Sequence, residues 1–161
     1  MKKIVLSPVI FLIFSASAFA DNLFIETGSG IFKSLDSVTI FARYQKDAPL
    51  LFGYPGHYEI LGAYWNNTSH DAGYGFAREV VWSKERKSHV LSTSFGVMGV
   101  TRTTDHLGTL FQFYIRAAYN VIIWDRHFSL GLIHISNGKA VLKWKGHNTG
   151  ENFVTLSVGL F

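Results

Sequence analysis

In the stretch "GLIHISNGK", residues 131–139, His134 and Ser136 stand two apart at the end of an alternating segment. A serine hydroxyl is a weak nucleophile until a neighbouring imidazole takes its proton, and the imidazole serves best when an acceptor holds its second nitrogen. Two positions apart on one strand face is about 7 Å between alpha carbons, which lets the side chains lean together. The pair therefore has the types and spacing for ester hydrolysis. An H-x-S pair taken alone is common by chance.

The elements that must position this pair are strands. His134 and Ser136 share a face with Phe128, Leu130 and Leu132, while His127, Ser129, Gly131, Ile133 and Ile135 fall on the other. Near the end of the chain, Asn152 falls in phase with Val154, Leu156, Val158 and Leu160. The same period of two recurs in segments of about ten residues parted by polar and Gly-containing turns, the pattern of a membrane barrel. Segments so read are about 23–30, 36–45, 56–66, 73–83, 89–100, 108–121, 127–136 and 152–161. The fold class expected is all-β, an eight-stranded antiparallel transmembrane β-barrel, which leaves no unpaired edge backbone in lipid. In the second segment Val38, Ile40, Ala42 and Tyr44 oppose Ser37, Thr39, Phe41 and Arg43. A buried lumen network of Arg43, Arg78, Arg116 and Glu59 is expected; a half-solvated soluble sheet is the other reading of this alternation.

The chain has 161 residues, enough for one domain with its own core. Its first twenty, "MKKIVLSPVIFLIFSASAFA", place Lys2 and Lys3 before an apolar run and end on Ala18-Phe19-Ala20, which reads as a signal peptide over 1–20 cleaved before Asp21. That run is too short to cross the roughly 30 Å hydrocarbon layer as a retained helical anchor. The domain expected is thus an outer-membrane barrel over 21–161. Among 15 basic and 11 acidic residues, losing Lys2 and Lys3 leaves a net charge of about +2, too mild to suggest nucleic acid as a partner. There is no cysteine, so neither disulfides nor thiol chemistry operate. The most apolar later stretch, "LGTLFQFYIRAAYNVII", carries Gln112, Arg116 and Asn120, and is no helical span.

With both chain ends on the periplasmic side, odd-to-even connections lie outside and even-to-odd ones are periplasmic turns. "KERKS" and the pair Asp125-Arg126 fit tight turns, while "KDAPLLFGYPG" is longer than usual. The segment 127–136 then ends at the outer leaflet. Since the large apolar face of such a barrel turns to lipid, His134, Ser136 and Asn152 face acyl chains, where polar groups are a cost without a use. An ester at the membrane interface would meet them from outside the barrel. An interfacial histidine and serine near the headgroups is the plainer reading of the same spacing.

"HISNG", followed after a loop by "NTGEN" and a final strand ending on Phe161, resembles the lipid A 3-O-deacylases of Gram-negative outer membranes, the PagL family. The terminal Phe also resembles the assembly signal of outer-membrane barrels. The family resemblance implies a lipid-facing Ser and His that remove the 3-hydroxyacyl chain ester-linked at position 3 of lipid A, in lipopolysaccharide, without metal or cofactor. By this resemblance Ser136 matches the nucleophile and His134 the general base. Asn148 matches a residue that stabilises the oxyanion, together with a backbone amide near Asn137 or Gly138. A glutamate is expected two residues after the Gly, where this sequence has Asn152 instead, preceded by Glu151. Asn152 can orient His134 through its amide oxygen, and parity favours it; a bulge could instead swing Glu151 outward.

Lys139, Lys143 and Lys145, with Trp144 among them, are placed to meet lipid A phosphates or to form a solvated basic loop. The remaining histidines show no metal-binding spacing, and there is no G-x-S-x-G motif. Two rival functions stand beside the esterase: a non-enzymatic structural or adhesion barrel, and an acyltransferase using the same Ser-His chemistry with an acceptor other than water. Pairing of two barrels into a homodimer is left open.

Overall fold

The structure is a computed structural model that describes residues 23–35, 37–66, 70–85, 87–103, 107–138 and 150–160. The strands are β1 (Leu23–Gly30), β2 (Val38–Asp47), β3 (His57–Asn66), β4 (Asp71–Val81), β5 (His89–Val100), β6 (Phe111–Ile123), β7 (Arg126–Ser136) and β8 (Glu151–Gly159). Each pairs antiparallel with the next, and β1 pairs with β8 to close an eight-stranded barrel in chain order. Closure satisfies both edges, the condition for strands to cross lipid. The proposed signal peptide lies outside the described residues.

Alternation along each strand divides the barrel into two environments. Ile40, Ile60, Tyr74, Phe95, Leu130 and Leu156 are exposed on the outer wall, a surface suited to acyl chains. The inner face is filled by side chains. Toward the end formed by the β1–β2, β3–β4, β5–β6 and β7–β8 connections, the filling is apolar, with Phe41, Trp65, Met98, Tyr114, Ile133, Ile135 and Phe153 all buried. Phe41 meets the rings of Tyr114 and Phe153 at 6.2 and 6.4 Å.

The rest of the lumen carries charge in pairs. Arg43 donates to Glu26 at 2.9 Å and to Glu59 at 2.7 Å, and Arg116 donates to Glu26 at 3.0 Å and to Ser129 at 2.7 Å. Gln45 extends the network by donating to Glu59 at 2.9 Å and Glu79 at 3.0 Å. Buried charges persist only when paired and hydrogen-bonded, and here two guanidiniums share the Glu26 carboxylate.

Arg78, expected in this network, is instead on the outer wall. It shares its face with Tyr74 and Phe76, lies over the Tyr58 ring at 5.5 Å, and donates to the carbonyls of Pro49, His57 and Glu79. A long cationic side chain near a strand end can reach the interface and bond backbone oxygens there, so parity wins over charge. The β6–β7 turn also differs by one residue from expectation. Its centre is Trp124-Asp125, with φ of 49° and 59°, and Arg126 already belongs to β7. Two left-handed residues are what a tight hairpin turn requires to match strand twist.

Candidate active site

β7 is fixed from inside. Ile133 and Ile135 are buried in the apolar filling, which forces His134 and Ser136 to the outer wall, where both are half-buried. Leu130 and Leu132 continue that face and are exposed. β8 arrives alongside with His134 opposite Asn152 and Leu132 opposite Val154.

The His134–Asn152 pairing is the close kind. The Asn152 carbonyl accepts from the Ile31 N–H at 2.8 Å, and its own N–H donates to Ser34 Oγ at 3.2 Å. Both backbone groups thus point toward the β1 side and away from β7. In antiparallel sheets the residues of such a non-hydrogen-bonded pair have the nearest side chains. The consequence is a hydrogen bond of 2.9 Å between His134 Nδ1 and Asn152 Oδ1. With the amide oxygen toward the ring, Nδ1–H donates and Nε2 keeps its lone pair for a proton.

Gly150 makes room for the ring. A Cβ there would lie 2.7 Å from His134 Cε1 and 3.1 Å from the Ile135 carbonyl oxygen, and its φ of +68° is one that side-chain-bearing residues rarely adopt. In the sequence Gly150 stands out only as part of the N-x-G motif; its steric role follows from the placement of β7 beside the start of β8.

Of the two alternatives for the third position, the structure brings Asn152 to the imidazole and leaves Glu151 on the inner face. Glu151 is fully buried opposite Ile135, in the row of Phe153 and Thr155. No bulge turns it outward, because β8 keeps regular register with β7 from Glu151 onward. Asn137 is also fully buried. Asn148, Lys139, Lys143, Trp144 and Lys145 lie outside the described residues.

An imidazole with a fixed tautomer, two positions from a serine on an apolar outer wall, can serve an ester presented from the lipid side. A family model described as lipid A 3-O-deacylase (PagL) matches residues 36–161. No curated protein matches the chain by sequence. A solved structure described as the "Crystal structure of the outer membrane enzyme PagL" is similar with a TM-score of 0.67 at 19% identity, covering 85% of this chain and 97% of that one; likeness at this identity speaks for the fold. Because the family model runs from the start of β2 through β8 and includes His134, Ser136 and Asn152, the chain belongs to the lipid A 3-O-deacylase (PagL) family.

Proposed function

We propose that this chain removes the ester-linked 3-hydroxyacyl chain at position 3 of lipid A, acting in the outer membrane through Ser136, His134 and Asn152. The observation that carries this reading is the hydrogen bond between His134 and Asn152 on the lipid-facing wall, one strand position pair below Ser136. A polar relay is costly in that environment and structurally unnecessary, since the barrel closes and packs by its inner face.

Ser136 Oγ attacks the ester carbonyl while His134 Nε2 accepts its proton. Asn152 Oδ1 holds Nδ1–H throughout, so the ring remains aimed as it becomes imidazolium. The oxyanion of the tetrahedral intermediate is assigned to Asn148 and a backbone amide near Asn137 or Gly138. Collapse breaks the bond to the sugar oxygen, which takes the proton from Nε2 and leaves as the free 3-hydroxyl. Water, deprotonated by His134, then releases the 3-hydroxy fatty acid and restores Ser136. A neutral amide supports the imidazolium less than a carboxylate does, so turnover depends heavily on orientation. On this reading residues 1–20 are the export signal, and the end carrying the site faces the cell exterior.

Mass spectrometry of lipid A from cells with and without the protein tests the activity. Loss of one hydroxyacyl chain is expected, and Ser136→Ala should abolish it while the barrel still shows heat-modifiable migration. An unchanged lipid A would favour a structural barrel, and a gained chain an acyltransferase.

A further inference from the structure

The connection between β1 and β2 folds back over the start of β8. Residues Phe32–Ser34 form a single 3-10 turn in which the Ser34 N–H donates to the Ile31 carbonyl at 3.1 Å and the Ser34 carbonyl accepts from Ser37 N–H at 2.9 Å. Gly30 permits this fold, since a Cβ there would overlap the Ser34 carbonyl.

The turn alters the ladder at one place. The β1–β8 register ends at Gly30 opposite Phe153, and the next rung begins normally, with Ile31 N–H donating to the Asn152 carbonyl at 2.8 Å. The return bond of that rung would run from Asn152 N–H to the Ile31 carbonyl, but the turn has diverted this carbonyl to Ser34. The Ser34 hydroxyl takes its place, accepting from Asn152 N–H at 3.2 Å. Ser34 is itself buried, only 3% exposed, so its hydroxyl is held where water cannot readily substitute. Asn152 is therefore gripped by its backbone from one side and bonded through its side chain to His134 on the other.

We infer that Ser34 is a positioning residue for the esterase, setting the backbone of Asn152 so that its amide oxygen meets His134 Nδ1. The inference rests on the Ser136–His134–Asn152 reading. Ser34 touches neither the imidazole nor the ester; it acts through Asn152.

The test compares Ser34→Ala, Ser34→Thr and Ser34→Val in purified, detergent-solubilised protein, with turnover of lipid A normalised to the heat-modifiable, folded fraction. A shift of the amide by a fraction of an ångström is expected to lower kcat about tenfold for Ala and Val with KM unchanged, because orientation and not binding is lost. Thr keeps the hydroxyl and should restore turnover, whereas Val has the same shape without it. In an Asn152→Ala background, Ser34→Ala should have no further effect. Full kcat in Ser34→Ala and Ser34→Val, with Asn152→Ala impaired, would overturn the role of Ser34 and leave the relay standing. Full kcat in Asn152→Ala would overturn the relay and this inference with it. An equal loss from Ser34→Ala in both backgrounds would overturn it too, since Ser34 would then act independently of Asn152.

Discussion

Gly150→Ala perturbs the site by a single methyl group. The added carbon would lie 2.7 Å from His134 Cε1, whereas carbon atoms rest at about 3.5–4.0 Å, so the ring or the β8 entry must give by about 1 Å. Cε1 lies between the two ring nitrogens, and moving it misaligns Nδ1 toward Asn152 and, in the proposed mechanism, Nε2 toward Ser136. A misplacement of that size costs about a hundredfold in rate, or about 2.7 kcal/mol of barrier. Forcing alanine to a φ of +68° adds strain of about 1–3 kcal/mol, which falls on stability. Gly53→Ala separates the two effects: its φ is +78°, yet the nearest atom to its Cβ would be Lys84 Nζ at 3.9 Å, far from the site. Release of 3-hydroxy acid from lipid A in mixed micelles, per folded barrel, is the assay. Both variants should unfold at lower urea, and Gly150→Ala alone should lose turnover. A Gly150→Ala protein with kcat within about threefold of the parent, against the hundredfold expected, would refute the steric argument.

Asn152→Ala should lower kcat by about a hundredfold through lost orientation, while Glu151→Gln, on the inner face, should leave it within about threefold; steady-state kinetics on lipid A decides between them. Glu26→Ala strips the shared partner from Arg43 and Arg116 and should destabilise the barrel by about 3–5 kcal/mol, read as a lower urea midpoint in detergent. Neutralising Lys139, Lys143 and Lys145 together should raise KM for lipid A and leave kcat unchanged, measured against salt concentration to separate charge from shape.

The strands were legible because one wall is apolar and the other mixed, so a period of two runs nearly unbroken through segments such as Thr109–Asn120. Phase alone placed His134, Ser136 and Asn152 on the outer wall and Glu151 inside, and the register of β7 with β8 agrees. Arg78 departs from the expected lumen network because its phase with Tyr74 and Phe76, and not its charge, sets its direction. Glu26, Gln45 and Glu79 join the lumen network without a sequence signal, since some of their partners lie beyond the neighbouring strand: Glu26 meets Arg116 of β6 across the lumen and Gln45 meets Glu79 of β4. In the Trp124-Asp125 turn Asp125 gives a turn signal, but Trp124 gives none for its left-handed backbone, so the turn centre reads one residue late. Ser34 and the steric role of Gly150 carry no sequence signal for a similar reason: one replaces a carbonyl diverted by a turn, and the other leaves space for a ring on a neighbouring strand.

The most direct measurement is to treat the detergent-solubilised protein with a long-chain phosphonate ester that traps serine nucleophiles, and to locate the adduct by peptide mass spectrometry. The account predicts one adduct, on Ser136, reduced by His134→Ala and by Gly150→Ala and blocked by prior incubation with lipid A. An adduct on a different residue, or a protein that deacylates lipid A at full rate with Ser136 replaced by alanine, would contradict it.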